Sequence, residues 1–252
     1  MRIVVAGGTG TVGVPVVAEV QRRGHDVVVV ARASGVDVLT GSGLDDALAG
    51  ADAVIDVLGT FTLSGRASAR FFTTTTQHLL DAERRLGVER HVALSIVGID
   101  AQSGGYYGGK RTQERVLADS GRPYTLLRAA QFHELAGTML HTAVVGPVVA
   151  VPRMVVAPVA AAEVAVRLVD LAEQPAAGPV RDLVGPERHL MLDLVRRYAR
   201  AVGSSARVVG IRVPTPGWHR IASGVLAGGG DVDRGTLTFR DWLAAQDLPA
   251  DA

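Results

Sequence analysis

One lysine, Lys110, stands among twenty-five arginines in a chain of 252 residues, and it follows Tyr106 by four positions in the run Tyr106-Tyr107-Gly108-Gly109-Lys110. Arginine carries a permanent, planar, delocalised charge, whereas lysine presents a compact ammonium that donates from a point and responds to its surroundings. The exception makes Lys110 a candidate chemical site; the alternative is a solvated surface lysine. On a helix, residues i and i+4 share one face a turn apart, so phenol and ammonium can reach one bound molecule. A phenol can pass a proton to a forming alkoxide, but with an ordinary pKa of about 10 it needs nearby positive charge to ionise close to neutrality. Ser95, near the end of the apolar run His91-Val92-Ala93-Leu94-Ser95-Ile96-Val97, is the candidate to orient a substrate oxygen, or else a polar strand end. Tyr107 is the alternative phenol. Gly108 and Gly109 each cost about 1 kcal/mol relative to alanine in a helix, which predicts a loosely held helix start.

Positioning these residues requires strands that end together. Short β-branched runs recur at Arg2–Ala6, Val27–Ala31, Val36–Leu39, Ala53–Leu58, His91–Val97 and Tyr124–Arg128, and helix-compatible stretches lie at 14–23, 43–49, 66–86, 106–120 and 131–141. Such alternation predicts an α/β fold, a doubly wound parallel sheet covered on both faces. The dinucleotide-binding core is expected over 1–132. A smaller carboxy-terminal substrate lobe is expected over 133–252, with a helix at 160–173, a strand at 180–184 that returns to the core sheet, a helix at 190–202, a strand at 207–213 and helices to the end.

The first strand runs into Gly7-Gly8-Thr9-Gly10-Thr11-Val12-Gly13. Glycines at 7, 10 and 13 between a strand and a helix are what a pyrophosphate needs: a tight turn, a backbone that the ligand can approach, and a helix packed close to the sheet with its N-terminus aimed at the anion. The second strand ends at Ala31-Arg32, where an acid would bind the ribose hydroxyl of NAD and an arginine accommodates the 2′-phosphate of NADP. Arg32 therefore favours NADP(H) over NAD(H), against the reading of one more surface arginine. Leu58 and Gly59, at the end of a later strand, either pass over the adenine side of the cofactor or are a plain strand terminus.

Composition narrows the classes. A formal charge of +1 without a block of like charge predicts neither nucleic-acid nor membrane-surface partners. With no cysteine, disulfides, thiolate catalysis and cysteine-ligated zinc are excluded, and no metal site is expected. The apolar start is too short for a signal-peptide core, and prolines and charges interrupt the apolar stretch 143–166, so a cytoplasmic protein with no membrane span is expected. Heavy use of arginine, alanine, valine and glycine points to a GC-rich bacterial genome.

The glycine loop, the stretch Ala93-Leu94-Ser95-Ile96-Val97-Gly98, the run Tyr106 to Lys110, and Leu126-Leu127-Arg128-Ala129-Ala130-Gln131-Phe132-His133 together resemble the short-chain dehydrogenase/reductase superfamily, in its atypical, NmrA-like branch. The resemblance covers essentially the whole chain. It implies an NADP-binding Rossmann domain with a substrate lobe, cofactor contacts from Gly7, Thr9, Gly10, Thr11, Val12, Gly13, Arg32, Leu58, Gly59 and Lys110, and a segment Ala130 to His133 that passes the nicotinamide. Ala130 and Gln131 would touch cofactor; Gln131, Phe132 and His133 would touch a small-molecule substrate. Many NmrA-like proteins lack the catalytic tyrosine, so the Tyr-x-x-x-Lys spacing favours an enzyme with Ser95, Tyr106 and Lys110 as its catalytic set. The expectation is an NADPH-dependent oxidoreductase of organic carbonyl compounds; a cofactor-retaining isomerase or epimerase and an NADP(H)-binding redox sensor are the alternatives. Helices near 66–86 and 106–120 could pair two subunits into a homodimer.

Overall fold

The computed structural model describes residues 1–60, 62, 64–101, 104–213 and 218–246. Its elements run β1 (Arg2–Ala6), α1 (Gly13–Arg22), β2 (Asp26–Val30), α2 (Leu44–Leu48), β3 (Ala53–Asp56), α3 (Gly65–Leu86), β4 (His91–Ile96), α4 (Gly105–Asp119), β5 (Thr125–Ala129), α5 (Leu135–Thr142), β6 (Val144–Val145), β7 (Val148–Pro152), β8 (Val155–Val156), α6 (Ala161–Ala172), β9 (Gly178–Pro179), β10 (Leu183–Val184), β11 (His189–Leu190), α7 (Met191–Ala201), β12 (Arg207–Ile211), α8 (Trp218–Ala222), β13 (Asp233–Arg234) and α9 (Phe239–Ala244). The chain divides into two compact units, Met1–Arg128 with Val164–Arg181, and Ala129–Glu163 with Asp182–Ala252. A core over 1–132 was expected, with only the strand at 180–184 returning to it from the lobe; residues 164–181, with most of α6 and all of β9, belong to the first unit.

The first unit is a parallel sheet in the order β2-β1-β3-β4-β5, with β9 added beside β5. Apart from Arg2 at the start of β1 and Asp56 at the end of β3, its central strands β1 and β3 are fully buried apolar runs because both faces are covered. Val4, Ala6, Val30 and Val54 pack with Leu44 and Leu48 of α2 and Leu79 and Ala82 of α3. Arg23, just past α1, pairs with Asp170 in α6 and with Glu173 just past it, which ties those two helices together. β1 has β2 on one side and β3 on the other, so strand order reverses there, and the crevice beyond the strand ends at such a reversal is where open α/β sheets take ligands.

The expected strand Val36–Leu39 is a turn. Asp37 meets Ser42 in an isolated antiparallel bridge, its carboxylate accepts the Leu39 N–H at 2.9 Å, and Gly41 and Gly43 turn the chain with φ of +79° and +75°. Local polar capping wins over β propensity here, while Val38 still reaches the core.

In the second unit β7 pairs β12 in parallel and β6 in antiparallel fashion, β8 pairs β11, and β10 joins β13 to Ala129, the last residue of β5. The strand expected at 180–184 is reduced to β10, which meets Ala129, while β9 stands just before that range and pairs with Thr125 and Leu126 of β5. Gly137 of α5 lies so close to α7 that a Cβ there would sit 2.9 Å from the Tyr198 ring. The helix expected from 131 begins only at Leu135. Phe132 bridges Val159 instead: Gln131 O accepts the Val159 N–H at 2.9 Å and Val159 O accepts the His133 N–H at 3.1 Å, which holds 131–133 extended. The expected run of helices to the end is met by α8 and α9, and beyond Gln246 it lies outside the described residues. No helix among the described residues is long and apolar enough to cross a membrane.

Candidate active site

The glycine loop leaves β1 at the strand-order reversal. Gly7 turns with φ +89° while its N–H donates to Val30 O at 2.9 Å, and a Cβ on it would lie 3.0 Å from Val57 O. Gly13 opens α1 where a Cβ would stand 2.0 Å from Gly7 O, so no other residue fits. Gly10 is different: a Cβ there would meet only Gly7 O, at 3.3 Å, and Thr9, Gly10 and Thr11 are exposed, whereas Val12 is buried beneath them. No side chain caps the start of α1, which leaves its backbone N–H groups and positive dipole end for an anion. These residues fit a dinucleotide pyrophosphate. Arg32 begins a short 3-10 turn after β2, is exposed, and makes no ion pair with any described residue; Ser34 ties that turn down by accepting the Ala31 N–H at 3.1 Å. Among the described residues no group of histidine and carboxylate side chains could hold a metal.

Lys110 is 3% exposed. Its ammonium donates to Leu94 O at 2.8 Å, to Gln113 Oε1 at 2.8 Å and to Leu58 O at 3.3 Å, and stands 4.6 Å over the Phe72 ring. All three protons are used, two of them on strand-end carbonyls, so the structure places the ammonium inside the sheet edge rather than out toward a ribose. Burial lowers its pKa to about 8, resisted by Asp56 and Glu114. Gln113, itself fully buried, donates in turn to Asp56 Oδ2 at 2.8 Å, and Asp56 Oδ1 accepts the Leu58 N–H at 2.9 Å. Asp56 and Gln113 were not singled out in the sequence. The signal was there: a carboxylate within the apolar strand Ala53-Val54-Ile55-Asp56 is costly unless paired, and Gln113 follows Lys110 by three on the same helical face.

Tyr106, in the first turn of α4, sets its ring edge against Phe72 and Tyr107, and its hydroxyl lies 3.7 Å from where a Cβ on Gly59 would be. That hydroxyl has no hydrogen-bond partner among the described residues. Its pKa moves up to about 12, chiefly by burial and then by Tyr107 and Asp56, opposite to the lowering expected from Lys110. The reason is geometric: the ammonium is turned to Gln113 and two carbonyls. Ser95 is 3% exposed and donates to Glu114 Oε1 at 2.5 Å; Glu114 also takes Arg128 through both oxygens, and Arg128 reaches Asp100 at 3.0 Å. Ser95 is thus spent on an ion-pair network, not presented beside the phenol. The two glycines have a packing reason that one helix alone could not reveal: a Cβ on Gly109 would stand 2.0 Å from Ser68 Oγ, so α4 packs backbone-close on α3, and Ser68 Oγ donates to Tyr106 O at 3.4 Å. The helix start is clamped.

The segment expected at the nicotinamide lies in the second unit. Ala130 donates its N–H to Leu183 O at 2.8 Å, and Gln131 is buried with Oε1 unpartnered among the described residues. Phe132 is half-buried on the Val159 bridge. His133 is 1% exposed, with Nε2 at 3.0 Å from Leu237 O and its ring against Phe239 and Trp242, so it is walled in rather than offered to a substrate. Burial lowers its pKa.

The model of an NAD(P)H-binding family matches residues 7–175, more than half of the chain. No match emerges among curated proteins. Among solved structures, UDP-glucose 4-epimerase from Bifidobacterium longum in complex with NAD+ and UDP aligns at TM-score 0.73 and 14% identity, covering 97% of this chain and 96% of its own. The corresponding epimerase from Stenotrophomonas maltophila, with bound NAD, aligns at 0.72 and 17%, covering 97% and 96%. A short-chain dehydrogenase/reductase superfamily protein from Agrobacterium tumefaciens, also with bound NAD, aligns at 0.69 and 19%, covering 97% and 95%. At such identities the likeness is one of fold, the Rossmann fold, and the family match leads to one conclusion: the chain belongs to the NAD(P)H-binding family.

Proposed function

We propose that this protein is an NADP(H)-dependent oxidoreductase that reduces a small to medium organic carbonyl compound, with Tyr106 as proton donor and Lys110 as the charge behind it. The observation that carries the reading is the pairing on α4 of a phenol at the Gly59 loop with a fully enclosed ammonium one turn later. When bound, the nicotinamide supplies the hydride. Burial moves the Tyr106 phenol up to about 12, so it stands protonated at neutral pH, the form that gives a proton to a forming alkoxide. Of the three bonds from Lys110, the one to Leu58 O is the longest and the easiest to exchange for a ribose hydroxyl. Ser95 can serve a substrate oxygen only by leaving Glu114. Arg32, exposed just past β2 and without an ion pair among the described residues, supports NADP(H).

The test is turnover of NADPH with a panel of aldehydes, ketones and quinones. Tyr106→Phe is expected to lower turnover by about 10²- to 10⁴-fold while leaving NADPH affinity unchanged. Arg32→Ala should lose roughly tenfold to a hundredfold in NADPH affinity and nothing in NADH affinity, since a charge-assisted contact is worth about 1.5–3 kcal/mol. Equal affinity of the parent for both cofactors would end the NADP(H) assignment. A second reading, an NADP(H)-binding sensor, is favoured by the saturated ammonium and the raised phenol pKa. Tight NADPH binding with no turnover on any carbonyl would establish it.

A further inference from the structure

We infer that Asp56 and Gln113 are positioning residues for Lys110: a buried carboxylate, acting through one amide, fixes the ammonium in place and in its charged form. The inference deepens the reading of Lys110 as the charge behind Tyr106. Asp56 ends β3 with no exposed surface, and the donors to its carboxylate are the Leu58 N–H at 2.9 Å and Gln113 Nε2 at 2.8 Å. An anion so enclosed is costly unless a cation balances it. The balance comes from Lys110, one amide away, and the Asp56 charge acts in the opposite sense to burial on that ammonium.

The amide between them has one sensible orientation. As it stands, Gln113 Oε1 faces the ammonium and Nε2 faces the carboxylate. Turned over, it would set N–H groups against the ammonium and a carbonyl against the carboxylate, two repulsions at once. Gln113 therefore conveys polarity without carrying charge, and it keeps the carboxylate from closing directly on the lysine. Because Asp56 also holds the Leu58 N–H while Lys110 holds Leu58 O, the same relay pins the strand end that leads to Gly59.

The other charged and titratable groups around Lys110 come from each neighbouring element: Glu114, Tyr106 and Tyr107 on α4, and, farther along the buried row, His91 on β4, which feels Asp56 and pairs with Glu83 of α3 at 2.7 Å. Arg122 acts on His91 from beyond α4, and Arg128 reaches the group only through Glu114. Phe72 of α3 closes the remaining side.

Lys110 is the single lysine, so protein grown with isotope-labelled lysine gives one side-chain amine signal whose pH titration reports this residue alone. Gln113→Met, close in shape, removes the relay. Asp56→Asn reverses it: the new amide NH₂ faces Gln113, whose own amide must turn and present N–H groups to the lysine, which then favours the neutral amine. The expected result is a midpoint about one unit lower in Gln113→Met, a tenfold loss of proton affinity, and a larger fall in Asp56→Asn. A role in folding alone would lower the melting temperature and leave the midpoint where it was. Midpoints matching the parent would overturn the inference, and Gln113→Met decides alone if Asp56→Asn does not fold. This titration needs neither cofactor nor substrate, so it fails only if the relay fails. Failure of the oxidoreductase reading would appear in the Tyr106→Phe assay instead.

Discussion

Lys110 in the first unit and His133 in the second are equally hidden, at 3% and 1% exposed, and burial lowers the pKa of both. Their surroundings differ in kind. Around Lys110 stand three acceptors and, one amide away, a carboxylate. Around His133 stand Phe239, Trp242 and one hydrogen-bonded carbonyl, the carboxylates of Glu163 and Glu187 act on it only through space and with less effect than burial, and its Nδ1 has no partner among the described residues. A lysine lowered to about 8 is still charged at neutral pH, whereas a histidine lowered from 6.5 is not. The same desolvation therefore leaves one residue a held charge and the other a packing strut. Burial alone does not mark a chemical group; the partners buried with it do.

This contrast can be broken most directly by Lys110→Met. Removing the ammonium leaves Asp56 uncompensated and orphans three acceptors, so urea unfolding at pH 7 should show a loss of about 3–5 kcal/mol. The next effect is in pH. The folded lysine releases its proton near 8 and the unfolded one near 10.5, so between those values the unfolded state binds more protons and stability should rise with pH, by on the order of 3 kcal/mol in the parent and not at all in Lys110→Met. A flat parental profile across that window would remove the held-charge description. The smallest effect belongs to His133→Leu, which gives up one bond to Leu237 O and should cost about 1–2 kcal/mol by thermal melting. Its pH signature has a definite sign. With its folded pKa depressed, His133 contributes above pH 6.5 and loses that contribution as pH falls, so the leucine variant should be less sensitive to acid; His91, raised by Glu83, acts in the opposite sense, contributing below pH 6.5 and losing it as pH rises through its folded value. A His133→Leu loss larger than that of Lys110→Met would reverse the comparison.

What could be read in the sequence follows the range of the interactions. β1, the glycine loop and α1 are local, set by a strand period, a turn and a helix start, and they lie where the residues point. Lys110 stood out because composition is visible without a structure. The roles around it were not legible, because they depend on pairs far apart: Gln113 with Asp56, Gly109 with Ser68, Ser95 with an α4 carboxylate rather than with the phenol. The expectation that Lys110 would lower the phenol pKa failed for that reason, since i+4 spacing fixes which face a residue shares and not where its end group turns. The strand expected at Val36–Leu39 gave way to an Asp37 cap, and the helix expected from 131 was delayed by Val159, a partner about thirty residues away.

The contact between Gly109 and Ser68 carries a consequence for descent. Two helices whose backbones approach so closely leave no room for a side chain at that point: a Cβ on Gly109 would stand 2.0 Å from Ser68 Oγ and 2.8 Å from the Ser68 backbone carbon, so even with glycine in place of Ser68 a relative with alanine in place of Gly109 must let α4 slide, and a slide of α4 displaces the phenol hydroxyl from the Gly59 loop. Gly109 should therefore be kept through the lineage wherever the tyrosine is used, and where Gly109 is replaced, the tyrosine should be free to drift to other residues.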